Sequence, residues 1–509
     1  SDFKNGPAKT RSGIVYVGAN DGMLHGFSET NGREVLAYIP ENIFSTAPNS
    51  GLHYLTNQNY QHKYYNDLTP TISDIYADLG TGTAWKSILI SGQRGGGRGI
   101  YALDVTTPTS FTEANAENLV LWEFTNADDN DLGFTYSKPQ IARSNDSDNS
   151  WVAIFGNGYN DTGDGQAKLF ILTIDKGIDG VWGTTDYKEI STGSGSSSDL
   201  NGLSTPALAD LDGNGTVDRV YAGDLKGQMW AFDLSGSTQA SWSIANGGTN
   251  PLFTTIGGEP ITAKPSLAKH PEISDESGTG GNLPNVIVYF GSGQYLTNAD
   301  KSSSNANHFY GVWDKGNSAG TQSNLVEQTF RSGFSFDDDG DSLTPDVDAR
   351  VLTQNAVDYT GGEFGWYIGL PETGERSVTE PVVRGNLVFF NTFTPSTDPC
   401  SVGGHGFRFA VDLANGGSPD EVVVDFDDDG VIDDNDKLSN GAESAVVAAI
   451  GENGYLPNPV FIESDGDRPS LVFNGSNGGS SGNGSNGPGA VRQLPNLRTG
   501  RFSWQELLQ

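Results

Sequence analysis

One unit recurs along the whole chain and limits what the chain can fold into. It is a β-branched or aromatic run, then a turn of Gly, Asn or Asp, then a second apolar run that often closes on Asp. It reads IVYVGANDGMLHGFS from Ile14, ILISGQRGGGRGIYALDV from Ile88, WVAIFGNGYNDTGDGQAKLFILTID from Trp151 and DRVYAGDLKGQMWAFDL from Asp218. VIVYFGSGQYL from Val286 follows, with HFYGVWD at His308 as its return strand, then LVFFNTF from Leu387 with FRFAVDL from Phe407, and LVFNGSNGG from Leu471. Short runs of this kind separated by glycine-rich turns are β-hairpins. Six units are preceded by a proline that leads a short apolar strand, at Pro70, Pro139, Pro206, Pro265, Pro381 and Pro459. Proline cannot donate to a sheet ladder, so it belongs at the first residue of a strand or at an edge.

The steps between these prolines are 69, 67, 59, 116 and 78 residues. Three near-equal steps and two long ones predict a fixed module carrying insertions at about 315–367 and 416–455. Seven hairpins, each with room for a four-stranded sheet, predict an all-β fold in a single domain over residues 1–509, a β-propeller. A β-sandwich competes poorly, because sandwiches rarely exceed about 250 residues in one domain. Aromatic strands such as LVLWEFTN, ending at Asn126, and ASWSIAN, ending at Asn246, supply the outer strands. The closing RFSWQEL is expected beside the strand of Ile14, where it would remove two open edges. Helix is scarce, and AESAVVAAIGENG from Ala442 is its best candidate.

Charge removes some partners. The 509 residues carry 64 Asp+Glu against 29 Lys+Arg, a formal net charge of −35. Phosphate backbones and anionic membrane surfaces both need a basic face, so neither nucleic acid nor direct membrane insertion is expected. No apolar run approaches the roughly 18 residues of a transmembrane helix. Cys400 is the only cysteine and excludes an intrachain disulfide, which suits an exported or a cytosolic protein. The start, SDFKNGPAKT, lacks the charge and apolar pattern of a signal peptide, so the chain is expected to begin after one.

Sixteen of the acids crowd into three loops. In DLDGNGTVD, Asp210, Asp212 and Asn214 stand at positions 1, 3 and 5, Gly215 at the sharp turn, Thr216 offers its carbonyl at 7, and Asp218 stands at 9. In DFDDDGVIDDND, Asp425, Asp427, Asp429, Val431, Asp433 and Asp436 stand at 1, 3, 5, 7, 9 and 12. This is EF-hand loop spacing, in which a tightly wound chain turns alternate oxygens inward on a hard cation that takes six to eight of them. Calcium is therefore the expected cofactor. Val217 and Ile432 follow position 7 and are suited to anchor the loops. A proline-led strand enters the first loop and RVYAG leaves it, so it reads as a clip between two strands and not as a sensor hand. Tyr221, not a bidentate carboxylate, stands at its position 12, which implies weaker binding than a full hand. The third cluster, from Asp337 to Asp348, has its glycine one step early and a proline in its frame, and reads as a solvated loop.

Other features carry no chemistry. GQRGGGRG, from Gly92 to Gly99, is followed by a strand and lacks a Lys-Ser/Thr pair, so it is a hairpin turn and not a phosphate loop. The six histidines have no metal-ligand spacing, and no Ser or Cys sits in a nucleophile elbow. No catalytic group emerges, and a non-enzymatic role is expected.

Taken in order, several segments resemble the C-terminal domain of the PilY family of type IV pilus-associated adhesins and biogenesis factors. They are VYVGANDGMLHGF, HKYYNDLTPTISD, GGGRGIYALDVT, LGFTYSKPQIAR, ADLDGNGTVDRVYAGDLKGQMWAFDL, YFGSGQYL with HFYGVWD, GWYIGLPETGERSVTEPVV, PCSVGGHG and RFSWQEL. The resemblance implies a modified seven-bladed β-propeller with a calcium loop at Asp210, Asp212, Asn214, Thr216 and Asp218. It also implies that calcium biases pilus extension against retraction, with a part in twitching motility and surface adhesion. Implied partners are pilins or minor pilins and a host or surface receptor, and the implied setting is exported, at the pilus, cell surface or outer membrane. The family's larger N-terminal region, often von Willebrand factor A-like, is expected to be absent. The Asp425 loop does not align with the family and rests on spacing. Two competing readings are a quinoprotein-type calcium-dependent dehydrogenase and an integrin-like structural calcium propeller. The first lacks its paired cysteines and regular tryptophan-docking repeats, and the second its evenly placed loops.

Overall fold

The computed structural model describes residues 2–273, 284–316, 320, 322–334, 349–397, 403–423, 432–462, 470–472 and 491–493. The chain divides into two compact units, 1–224 with 232–244, and 225–231 with 245–509. Both are built mainly of antiparallel strands, and the predicted hairpins are present in the predicted order within the described residues; the turn of the last, from Phe473 on, lies outside them.

In the first unit a three-stranded sheet runs through Ile14–Gly18, Leu24–Ser28 and Glu34–Tyr38. A four-stranded sheet follows, of Thr71–Asp78, Thr83–Gly92, Gly99–Asp104 and Val120–Thr125, in chain order. A second such meander has Gln140–Arg143, Trp151–Gly156, Gln166–Thr173 and Tyr187–Gly195. The pair Ala207–Ala209 and Arg219–Gly223 then opens a further sheet.

Packing explains why the central strands read as unbroken apolar runs. Side chains alternate across a strand, and in the second sheet each set enters a different core. Ile88, Ile90, Ile100 and Ala102 pack with Phe155, Phe170 and Leu172 of the third sheet, while Leu89, Tyr101 and Leu103 pack with Leu24 and Leu36 of the first. A strand buried on both faces has no polar face to show. The first strand, Ile14–Gly18, lies at a sheet edge and leaves Val15 and Val17 exposed.

In the second unit Ser266–Lys269, Val286–Gly291, His308–Asp314 and Gly365–Gly369 form an antiparallel sheet, extended by Leu325–Gln328 in parallel with the last strand. The next sheet orders Val382–Arg384, Leu387–Asn391, Gly404–Asp412, Ala449–Asn453 and Ala349–Arg350. The two sheets share a core in which Phe309 stacks on Phe390 at 3.7 Å between ring centroids. A hairpin of Lys437–Ser439 and Ser444–Val446, and a three-stranded sheet of Val460–Ile462, Ser470–Val472 and Val491–Gln493, complete the unit. The two long steps of the repeat therefore contain sheet strands: Leu325–Gln328 and Gly365–Gly369 arise around 315–367, and Ala449–Asn453 within 416–455.

All six prolines immediately precede a strand, and each of those strands is the edge strand of its sheet. The missing amide thus falls where no ladder bond is lost. One expectation is corrected. The stretch from Ala442 is not a helix but two strands, Ser444–Val446 and Ala449–Asn453. Ala449 pairs with Phe409 and Ile450 with Arg408, and the small side chains of Ala448 and Ala449 fit against the aromatic core. Tertiary pairing overrides alanine's helical preference. The closing RFSWQEL, Cys400 and the acidic cluster from Asp337 to Asp348 lie outside the described residues.

Candidate metal centre

The first acidic loop is the turn of a tight hairpin. Ala209 pairs with Arg219, the Asp218 amide donates to the Ala209 carbonyl at 2.9 Å, and the nine residues from Asp210 to Asp218 fill the turn. Its winding is set by local bonds. Asp210 accepts the amides of Gly213 at 2.7 Å and Asn214 at 3.2 Å through Oδ1, and that of Gly215 at 2.8 Å through Oδ2. Asp212 Oδ1 accepts the Asn214 amide at 3.0 Å, and Asp218 Oδ2 accepts the Leu211 amide at 2.7 Å. Gly215, at φ 88°, adopts a left-handed conformation costly to any residue with a Cβ. Val217 is fully buried and its amide donates to the Arg143 carbonyl at 2.8 Å, so the expected anchor is in place.

The winding brings Asp210, Asp212 and Asp218 together, with one carboxylate oxygen from each inside a set whose members lie within 4.8 Å of one another. A cation held at about 2.3 to 2.6 Å from each ligand can span oxygens so spaced. Burial, reinforced by the charges of Asp212 and Asp210, pushes the Asp218 carboxyl above its ordinary range. The three groups form no ion pair among the described residues, and the bonds they accept come from backbone amides and Asn side chains.

A second acidic triad shows the contrast. Asp129, Asp131 and Glu189 are equally close, but the buried Lys168 ammonium lies 2.5 Å from Asp131, 2.9 Å from Glu189 and 3.0 Å from Asp164. There the protein supplies its own cation.

The other two expected ligands are placed differently. Asn214 sits in the loop with Nδ2 donating to Asp212 Oδ2 at 3.0 Å, while its Oδ1 accepts the Thr216 amide at 2.7 Å. The Thr216 hydroxyl has one proton to give and lies within reach of two acceptors, Asn214 Oδ1 and, at 2.6 Å, Asn145 Oδ1. Asn145 is the residue that sequence reasoning missed. From the turn of the preceding sheet, its Nδ2 donates to Asp218 Oδ1 at 2.9 Å, to the Val217 carbonyl at 2.9 Å and to the Leu234 carbonyl at 3.3 Å. It lies over seventy residues upstream in SNDSDNS, which reads only as a polar turn.

In the second loop, Asp425, Asp427, Asp429 and Val431 lie outside the described residues. Asp433 and Asp436 are described and form a capping box around the short helix Asp434–Asp436, with the Asp433 amide donating to Asp436 Oδ2 at 2.9 Å. Asp436 is buried and Asp433 exposed.

Residues 1–340 match a family model described as the PilY1 beta-propeller domain. The chain is 35% identical over 420 residues to a type IV pilus biogenesis factor PilY1 homolog of Xylella fastidiosa, covering 79% of this chain and 26% of that protein. It is 33% identical over 487 residues to type IV pilus biogenesis factor PilY1 of Pseudomonas aeruginosa, covering 88% of this chain and 38% of that protein. It thus spans well under half the length of these relatives. Its structure is similar to the crystal structure of the Pseudomonas aeruginosa PilY1 C-terminal domain, with a TM-score of 0.70 and 28% identity over 96% of this chain and 93% of the other. The antiparallel meanders are accordingly those of a β-propeller.

Proposed function

The chain belongs to the PilY1 β-propeller family of type IV pilus biogenesis factors, and from that premise we propose that it is a non-catalytic, calcium-dependent pilus adhesin that regulates the balance between pilus extension and retraction. The observation that carries the reading is the gathering of Asp210, Asp212 and Asp218 on one hairpin turn, with no basic partner among the described residues. Calcium there would offset three carboxylates and draw the turn tight against Val217 and the strand Arg219–Gly223. The ordered turn would present one face of the propeller to pilins or minor pilins, or to a receptor on a host or other surface, outside the cell at the pilus. A seven-bladed arrangement is part of the reading, supported by seven sheets of three or more strands among the described residues. The Asp425 loop is proposed as a second calcium site on its spacing alone.

Calcium titration by calorimetry tests the site. Asp210→Ala is expected to lose the binding event of this loop while keeping its circular dichroism. Unchanged stoichiometry and affinity in the variant would refute the assignment. Twitching of cells carrying the same substitution in the full-length protein tests the link to the pilus, and wild-type motility would break it.

A further inference from the structure

The tip of the Asp210 loop also carries an Asn-Gly pair, Asn214-Gly215, and the groups around it are arranged for a reaction of their own. A Cβ built on Gly215 would meet nothing within 4 Å, so approach along this backbone is open. The Gly215 N–H donates to Asp210 Oδ2 at 2.8 Å, which puts a carboxylate where a base must stand to take that proton. The amide that this nitrogen would attack is held on both sides. Asn214 Nδ2 donates to Asp212, and Asn214 Oδ1 accepts the Thr216 amide at 2.7 Å. A backbone donor on a carbonyl oxygen stabilises the negative charge that builds there when its carbon is attacked.

We propose that Asn214 is a self-modification site, deamidating through a cyclic imide, and that a cation seated on Asp210 and Asp212 suppresses the reaction. The second half rests on the calcium reading above. Asp210 takes the Gly215 amide proton, the nitrogen bonds to Asn214 Cγ, and the Cγ–Nδ2 bond breaks as Nδ2 gains a proton and leaves as ammonia. Water then opens the imide, to aspartate at one carbonyl or to an isoaspartyl linkage at the other. One water is consumed, one ammonia is released, and nothing is oxidised or reduced. Aspartate adds a fourth carboxylate at position 5 and strengthens the site, since loop affinity follows ligand charge. The isoaspartyl form lengthens the backbone by one carbon and spoils the spacing. A bound cation opposes the first step by engaging the carboxylate that would take the proton.

Two other exposed Asn-Gly pairs serve as internal controls. The Gly32 amide donates to the Ser28 carbonyl and the Gly441 amide to the Ser439 hydroxyl, neither of which is a carboxylate base.

The test incubates the chain at neutral pH in EDTA or in calcium chloride and follows Asn214, Asn31 and Asn440 by peptide mass spectrometry. In EDTA, Asn214 is expected to convert severalfold faster than both controls, and calcium to slow it severalfold while leaving the controls unchanged. Asp210→Asn is expected to bring the EDTA rate down to that of the controls, and Asn214→Asp to bind calcium severalfold more tightly by calorimetry. An Asn214 rate no higher than that of Asn31, or an Asp210→Asn variant converting at the wild-type rate, overturns the proposal. So does a rate indifferent to calcium in protein that binds calcium at this loop, which leaves the calcium reading standing. Absence of any calcium binding overturns the calcium reading and the suppression that rests on it, and the EDTA comparison decides the deamidation alone.

Discussion

Asn145 gives the sharpest test of how the candidate centre is held. Asn145→Ala removes an Nδ2 group that serves Asp218 Oδ1, Val217 O and Leu234 O, and an Oδ1 that accepts from Thr216. The two amide hydrogens make the two shorter bonds, one of them to a carboxylate. A neutral bond contributes about 1 kcal/mol net and one to a charged group about 1.5 to 3 kcal/mol. Asn145 is half-buried, so water replaces part of what is lost, and the expected destabilisation is about 2 to 3 kcal/mol in urea unfolding with EDTA present. Asn145→Asp goes further. It loses the same donors and sets a fourth carboxylate against Asp218, a repulsion of about 4 kcal/mol for charges about 4 Å apart at an effective dielectric of 20. In EDTA the Asp variant should therefore be the less stable of the two, and in saturating calcium it should recover more than the Ala variant, because the added carboxylate then faces a cation. A loss below about 0.5 kcal/mol for Asn145→Ala would refute its positioning role, since substitutions that touch nothing fall in that range. Equal calcium responses of the two variants would refute a cation beside Asp218.

Two predictions concern groups outside the loop. His270 is buried edge-on against Trp313 and Tyr359, and its Nδ1 accepts the amides of Glu272 and Ile273, so burial pushes its pKa down to about 4. The unfolded chain binds the proton near pH 6.5 and the fold does not, so stability falls as pH drops from about 6.5 toward 4, by about 3 kcal/mol at most from this group. A His270 ring that titrates near 6.5 in nitrogen NMR of the folded protein would refute this. Lys168→Met leaves Asp131, Asp164 and Glu189 without their ammonium and is expected to cost about 3 kcal/mol or more at neutral pH, the range for breaking a buried ion pair. The deficit should shrink as the pH is lowered and the carboxylates protonate, and a loss below about 1 kcal/mol in denaturant unfolding would contradict the pairing.

Much of the fold was legible because the physics involved is local. A proline cannot donate, so Pro70, Pro139, Pro206, Pro265, Pro381 and Pro459 marked six edge strands correctly. Glycine-rich turns between β-branched runs marked the hairpins, and GQRGGGRG joins Thr83–Gly92 to Gly99–Asp104 as a hairpin turn should. The stretch from Ala442 failed because alanine's helical preference is weak beside a sheet partner that arrives from Gly404–Asp412. In the candidate centre, Asp210, Asp212 and Asp218 were legible for the same local reason, since the turn that gathers them lies within one span of nine residues.

By itself the sequence determined the hairpins, the edge positions and the acidic turn, because each depends on bonds a residue makes or cannot make with its near neighbours along the chain. Only the tertiary structure decided which acidic cluster keeps an unmet charge. Asp131, Asp164 and Glu189 come from two loops and a strand and converge on Lys168, while Asp218 and Thr216 meet Asn145 from another sheet. Whether a carboxylate faces an ammonium, an amide or a site for a cation is set by distances in space of a few ångströms, and a −35 chain contains too many acids for composition to make that choice.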